Sequence, residues 1–447
     1  MTSASGEMTN LLSASVSAPA CHQPSAAPSR TTFPPAAKLS AFRPPPPMLA
    51  GVRTYSEVFR VPEFTSLFAT YALWLAASTV TGLALGVLVY TATGSPLLSA
   101  LAMFGPSLAQ VIGASVLLDA ADRLPPRLVL TAVALIPGLC TLIQAAPSLP
   151  VTAILGISLA LGVLVPLGNG ARFGLLGDVL PADGYVLGRS VLNMANGLIQ
   201  ICGYGIGGLL VTVLSPRGAL LAGTAFYLAA AAGTRLFLPQ RPPRSAGHPS
   251  IAQTWRVNRE LWSSPPRRVT FLALWVPNGL VVGCEALFVS YSPRHAGLLF
   301  TSGALGMVLG DALAGRFLHA SWRSRLAPWL RLLLAAPYLV FALHPALSTA
   351  ATAIGLASVG FSATLMLAER LMLLTPRELA GHAMGLQMSG TQAMQGAGAA
   401  LAGIAAQWTS PADGMVIMAV VSVAVTLLLA PGLRPLPPQR AHPARDL

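Results

Sequence analysis

Charge is scarce in this sequence: Asp, Glu, Lys and Arg make up 9% of 447 residues, and Lys38 is the single lysine. Soluble domains carry about 25% charged residues, so most of this chain cannot be meant to face water. Cysteine is scarce too. Cys21, Cys140, Cys202 and Cys284 stand far apart, which excludes a disulfide framework and thiolate metal ligation, and three of them read as small packing residues in or beside apolar runs. The chain also lacks a phosphate-binding glycine loop, an HExxH pair and a nucleophile elbow, the motifs that would argue for an enzyme. No continuous apolar stretch before a cleavage site marks a signal peptide in the first 50 residues.

What fills the sequence instead is apolar: 54% hydrophobic residues and a mean hydropathy of +0.67. A helix needs about 20 mostly apolar residues to cross a bilayer, because lipid offers no partner for an open backbone N–H or C=O. That rule predicts twelve transmembrane helices, at about 67–90, 97–118, 128–147, 150–171, 190–213, 217–238, 269–291, 296–318, 327–344, 347–370, 383–407 and 412–431. An even number puts both termini on one side. Of the 27 Lys and Arg, only Arg217 and Arg294 fall in loops on the other side, so the positive-inside rule makes both termini and the long central loop cytoplasmic. The net charge of +13 is thereby explained by topology, and no nucleic-acid partner is expected.

Residues 1–50 are rich in Pro, Ser and Ala and cannot bury enough surface to fold. Met48 is an alternative start, and a functional tail is the other reading. Residues 51–238 form a first six-helix block, 239–268 a cytoplasmic linker, 269–432 a second block and 433–447 a cytoplasmic tail. If the blocks are duplicates, residues should correspond at a fixed offset. At an offset of 193, Gly113, Gly162, Gly188, Gly197, Gly203 and Gly205 land on Gly306, Gly355, Gly381, Gly390, Gly396 and Gly398, and Arg123 lands on Arg316. Those are six of the 16 glycines between 105 and 210, where composition alone gives roughly one or two.

Two six-helix halves joined by a basic loop, with the charged turn "LDAADRLPPR" (118–127) after the second helix, resemble the major facilitator superfamily of secondary transporters. The family pattern in that turn is Gly-x-x-x-Asp-Arg-x-Gly-Arg-Arg; Asp122, Arg123 and Arg127 match it, whereas Leu118, Pro125 and Pro126 depart from it. "GDALAGRFLHASWRSR" (310–325), with Asp311 and Arg316, stands where a second copy belongs. In "GYGIGG" (203–208) Gly203, Gly207 and Gly208 match the Gly-Pro-x-x-Gly-Gly tail of a motif of the family's proton-coupled exporters, with Tyr204 in place of its proline and Gly205 at a free position. The chain looks most like the bacterial branch that includes enterobactin and drug exporters. The resemblance implies two pseudo-symmetric six-helix bundles that rock about a central site in the bacterial cell membrane. It further implies that Asp122 meets the start of helix 11 near Glu378–Gly381 as a latch, with Arg123 and Arg127 on acidic groups or lipid headgroups.

A carboxylate inside a membrane helix is costly and therefore a functional candidate. Glu285, in "VVGCEALFV", is the candidate proton-coupling group; the alternative is a packing role near the outer end of helix 7. Asn193, Asn196 and Gln200 share one face of helix 5, and Gln387, Thr391 and Gln395 one face of helix 11. Both faces are candidate substrate paths, with interhelical hydrogen bonding as the alternative. The glycines of "GYGIGG", with Gly396 and Gly398, let helices approach closely. Trp74, Trp275 and Tyr71 offer aromatic surface for a ligand or for packing. Arg172 reads as an attractor of anions or as an anchor reaching the interface. The expectation is a proton-driven exporter of small amphipathic organic compounds, with no cofactor beyond the proton gradient, no metal and no catalytic residue. Its partners are a small-molecule substrate and the lipid bilayer, and a monomer is expected. Uptake of a metabolite and a non-transporting sensor are the competing readings.

Overall fold

The computed structural model describes residues 54–243, 251–314 and 320–433. Residues 1–50, the tail beyond 433 and Arg316 lie outside them. The described part is helical with no strand, and nine of its helices are long and apolar enough to cross a membrane. We label the principal helices α1 (Pro62–Thr93), α2 (Pro96–Arg123), α3 (Pro126–Gln144) and α4 (Val151–Val179). The run Ala182–Phe237 is broken at Ser215 (φ 79°), just before Pro216, and divides into α5 (182–214) and α6 (216–237). Then follow α7 (Pro265–Ala286), α8 (Ala296–Ala312), α9 (Ala320–Leu333 with a 3₁₀ turn Ala336–Leu343), α10 (Leu347–Val359 continued by Ala363–Leu373), α11 (Ala380–Trp408) and α12 (Pro411–Leu429).

The helix starts follow from local chemistry. Pro62, Pro96, Pro126, Pro265 and Pro411 each open a helix, where the missing N–H would have had no partner and the fixed φ is already helical. Gly94, at φ 65°, lets α1 turn into α2 within two residues. The central linker contains a helix that was not anticipated. Ile251–Ser263 is a helix with Leu261 fully buried, and Trp262 stacks on Trp275 of α7 at 5.5 Å.

Long exposed apolar side chains cover the outside, among them Leu139 and Ile143 on α3, Val213, Leu221 and Phe237 on α5–α6, and Leu428 on α12. Such a belt would be a liability in water and is the normal surface in lipid. The interior is held by small residues, which let backbones approach where no hydrophobic effect drives helices together. A methyl group on Gly113 of α2 would strike the Val163 carbonyl of α4, and one on Gly306 of α8 would strike the Gly355 carbonyl of α10. The offset of 193 therefore pairs two glycines in the same kind of contact, although the carbonyls they meet, Val163 and Gly355, stand one residue off that offset.

It fails in α5 and α11. Gly207 faces Val80 of α1 and Gly205 faces Thr301 of α8, while Gly398 faces Gly279 of α7 and Gly396 faces Leu108 of α2. Matching contact with contact pairs Gly205 with Gly396 and Gly207 with Gly398, an offset of 191. The two-residue slip turns the partners of the 193 alignment, Gly203 against Thr79 of α1 and Gly396 against α2, onto different faces.

The loops 94–95, 145–150, 215, 292–295, 344–346 and 409–410 share one face of the assembly. The other face carries Arg60, Arg123, Arg127, Asp178, Arg235 and Arg241 and is called the charged face. There Arg241 pairs with Glu63 and donates to the Asp178 carbonyl at 3.0 Å, Arg127 donates to the Arg235 carbonyl at the end of α6, and Arg370 donates to the Leu433 carbonyl at 3.1 Å. The last two are cations at helix C-termini, where open carbonyls and the dipole favour positive charge.

Candidate functional site

Glu285 stands one residue from the end of α7, the most enclosed of the membrane helices. It is buried, and its Oε1 has no hydrogen-bond partner among the described residues. Tyr204 of α5 and Tyr338 of α9 lie within electrostatic reach of the carboxyl, and the Tyr338 hydroxyl is buried and unpartnered as well. Around them is an aromatic wall: Tyr204 stacks on Phe300 of α8 at 4.7 Å, Phe288 meets Phe300 edge-on at 5.0 Å, and Tyr338 stacks on Phe288 at 6.4 Å. Tyr204, which replaces the motif proline, thus supplies part of this wall. Buried polar atoms without partners are rare, and a carboxyl so placed is able to hold and release a proton without an ion pair to lock it.

Two seams join helices distant in the chain, α2 with α11 and α5 with α8. Along α2 and α11, the Ser95 hydroxyl donates to Gln407 Oε1 at 2.8 Å, Leu97 packs on Gly403, Leu108 packs on Gly396, and Gln392 Nε2 donates to Gln110 Oε1 at 3.0 Å. Along α5 and α8, Gly208 lies against Gly297, Gly205 against Thr301 and Gly197 against Val308. The α2–α11 contacts begin at the uncharged face and reach Gln110, about 21 Å along α2 at 1.5 Å per residue. At the charged face, the ion pair and the arginine–carbonyl bonds join elements within one half.

The predicted amide faces divide. Asn193 is exposed and Asn196 and Gln200 are half-buried on α5. On α11, Gln387 Nε2 donates to Thr391 Oγ1 at 3.2 Å and Gln395 Nε2 donates to Asn278 Oδ1 of α7 at 3.1 Å. For Gln395 the interhelical alternative is what the geometry shows. Gln110, Gln392 and Asn278 were not singled out from sequence; Gln110 and Asn278 are lone amides in apolar runs, which was the available signal, whereas Gln392 lies among the other polar residues of α11. Trp74 and Trp275 both donate their indole N–H to backbone carbonyls, Val133 at 3.2 Å and Gln387 at 3.0 Å.

In the charged turn, the Asp122 side chain lies outside the described residues and the expected latch with it. Arg127 donates to the Arg235 carbonyl. Arg123 and Asp311 are exposed. For Arg172 the reading as an interface anchor is corrected. It does not reach the interface but is 4% exposed, stacked over Tyr71 at 4.1 Å and Trp74 at 5.2 Å, with Nη1 donating to Asn169 Oδ1 at 2.9 Å. Among the described residues no group of His, Cys, Asp and Glu has metal-binding geometry.

Several solved structures share the architecture. A bacterial homologue of the human lysosomal transporter Spinster, inward-facing and unoccupied, is 15% identical, covers 86% of this chain and 97% of its own, and superposes with a TM-score of 0.63. The nucleoside transporter NupG is 16% identical over 85% of this chain and all of its own, with a TM-score of 0.65. A POT family transporter in complex with 5-aminolevulinic acid is 11% identical over 82% and 95%, with a TM-score of 0.67. At these identities the likeness is one of fold. No sequence among curated proteins matches the chain. The sequence profile of the Major Facilitator Superfamily matches residues 64–295, more than half of the chain, and the protein is therefore a multi-pass membrane protein belonging to that superfamily of transporters.

Proposed function

We propose that the protein is a secondary active transporter that exports small amphipathic organic compounds in exchange for protons. In this reading, division of the 182–237 run at Ser215 together with α8 and α11 gives twelve crossings, in two six-helix bundles that rock about the interface lined by α5 and α11. The charged face is cytoplasmic, and the membrane is the bacterial cell membrane. The observation that carries the reading is the unpartnered Glu285 carboxyl behind the seam of Tyr204 and Phe300. A carboxyl shut away when the uncharged face is closed, and reached when the α5–α8 seam parts, exchanges its proton in step with the conformational cycle. The halves meet mainly towards the uncharged face, which corresponds to a state open to the cytoplasm. Export rests on the likeness of "GYGIGG" to the exporter motif; in the fold Gly203 and Gly207 face α1 while Gly205 and Gly208 face α8, so α5 packs closely on both.

Purified protein in liposomes tests this. An imposed pH gradient should drive net movement of an amphipathic dye, with protons moving the opposite way. Movement of dye and protons in the same direction would favour uptake, and no flux of dye, nucleoside or peptide under any gradient would remove the transport reading.

A further inference from the structure

Arg172 leaves a charge that the transport cycle does not account for. It is buried within the first half, among α1, α3, α4 and α6, and beside it is a cavity of about 10 Å³, enough for the centre of one water-sized particle and far too small for an organic molecule. No carboxylate lines that cavity; its walls are apolar apart from Thr70, Tyr71, Trp74, Thr234 and Arg172 itself. Most of the other polar donors are already committed. Thr70 donates to the Ser66 carbonyl at 2.9 Å, Thr234 to Ala230 at 2.8 Å and the Trp74 indole to Val133 at 3.2 Å. The guanidinium gives one N–H bond to Asn169 and lays its face on two aromatic rings. Those contacts soften the burial of a cation but do not neutralise it. What remains facing the cavity is a positive charge with N–H groups to spare and the Tyr71 hydroxyl.

We infer that this cavity is a binding site for one small inorganic anion of halide size, chloride in the cell, which neutralises Arg172 and fixes the packing of α1, α3, α4 and α6. A halide needs no directional acceptor geometry, fits a space of this size and is held by guanidinium N–H groups. Large or organic anions are excluded by volume. The site is remote from Glu285, so its occupancy is independent of whether Glu285 carries a proton.

Crystals or cryo-cooled samples prepared in bromide would show an anomalous peak beside the Arg172 guanidinium. In detergent, chloride and bromide should raise Tm saturably by about 2 °C, as ligand linkage requires, whereas gluconate at equal ionic strength should not. Arg172→Gln should abolish the halide effect. If that variant does not fold, Ala134→Val fills the cavity with the cation in place and should abolish it too. A structure with water alone in the cavity would overturn the assignment, as would equal Tm in chloride and gluconate for the unmodified protein. Neither measurement depends on transport, so failure here leaves the transport reading standing and failure of transport leaves this one.

Discussion

Glycines decide much of this protein one residue at a time, because in lipid the closeness of backbones replaces the hydrophobic effect as the source of cohesion. Gly113 and Gly306 each touch a carbonyl of the next helix, where even a methyl group forces the helices apart. Gly113→Ala and Gly306→Ala should each destabilise the protein by about 1–3 kcal/mol, seen as a lowered Tm in detergent. Gly156→Ala, at a position with nothing within 4 Å of an added methyl, is the control and should leave Tm unchanged. The glycines were visible in the sequence, but their register was not. Gly203, Gly205, Gly207 and Gly208 give matches with Gly396 and Gly398 at both 191 and 193, and only the faces they present separate the two. Arg172 was legible as a residue and not as an environment. A lone arginine near a helix end reads as an interface anchor until Tyr71 and Trp74, a hundred residues earlier in the chain, are found lying on its guanidinium.

Helices are where reading the sequence worked best. Uninterrupted apolar runs of about 20 residues have one stable outcome in a bilayer, and nine of the described helices are long and apolar enough to cross one. The helix Ile251–Ser263 was missed because Pro and Ser flank it and its charges suggested solvent, although Leu261 and Trp262 share the side that packs under α7. Between elements, the seams carry their own prediction. Gln392→Ala removes the bond to Gln110 across α2 and α11. Interhelical hydrogen bonds in membranes average about 0.6 kcal/mol, so the balance between conformations should shift about threefold towards opening at the uncharged face. Labelling, from that side, of a cysteine placed at Leu108, which packs on Gly396 in the same seam and leaves Gln110 intact, would report the shift. An unchanged rate would mean that the bond does not help hold the seam.

At the scale of the molecule, the contacts between halves concentrate towards one face, which gives the alternating-access reading a direct mechanical test. Ser95 and Gln407 sit opposite each other at the end of the α2–α11 seam, 2.8 Å apart at their side-chain oxygens. Ser95→Cys with Gln407→Cys, bridged by a short bifunctional methanethiosulfonate, should stop transport and release it on reduction, since the glutamine's extra reach at this contact has to be replaced by the linker. Full transport by the cross-linked protein would show that this end need not open. The sequence hinted at two halves through its glycines and its charged turn, but it said nothing of where they meet, because the seams are built from single small or amide residues scattered along four helices. Glu285 stood out from sequence as a carboxyl among apolar neighbours. Its aromatic surroundings come from α5, α8, α9 and the short turn of helix after α7 together and exist only in the folded chain.

The account as a whole stands on Glu285 holding the coupled proton. The most direct measurement compares the unmodified protein with Glu285→Gln in proteoliposomes, following dye movement driven by a pH gradient alongside dye-for-dye exchange without a gradient. The account predicts that the glutamine variant keeps exchange, since the substrate path is intact, and loses gradient-driven accumulation, since an amide carries no proton. Gradient-driven accumulation at the unmodified rate in the variant would contradict it.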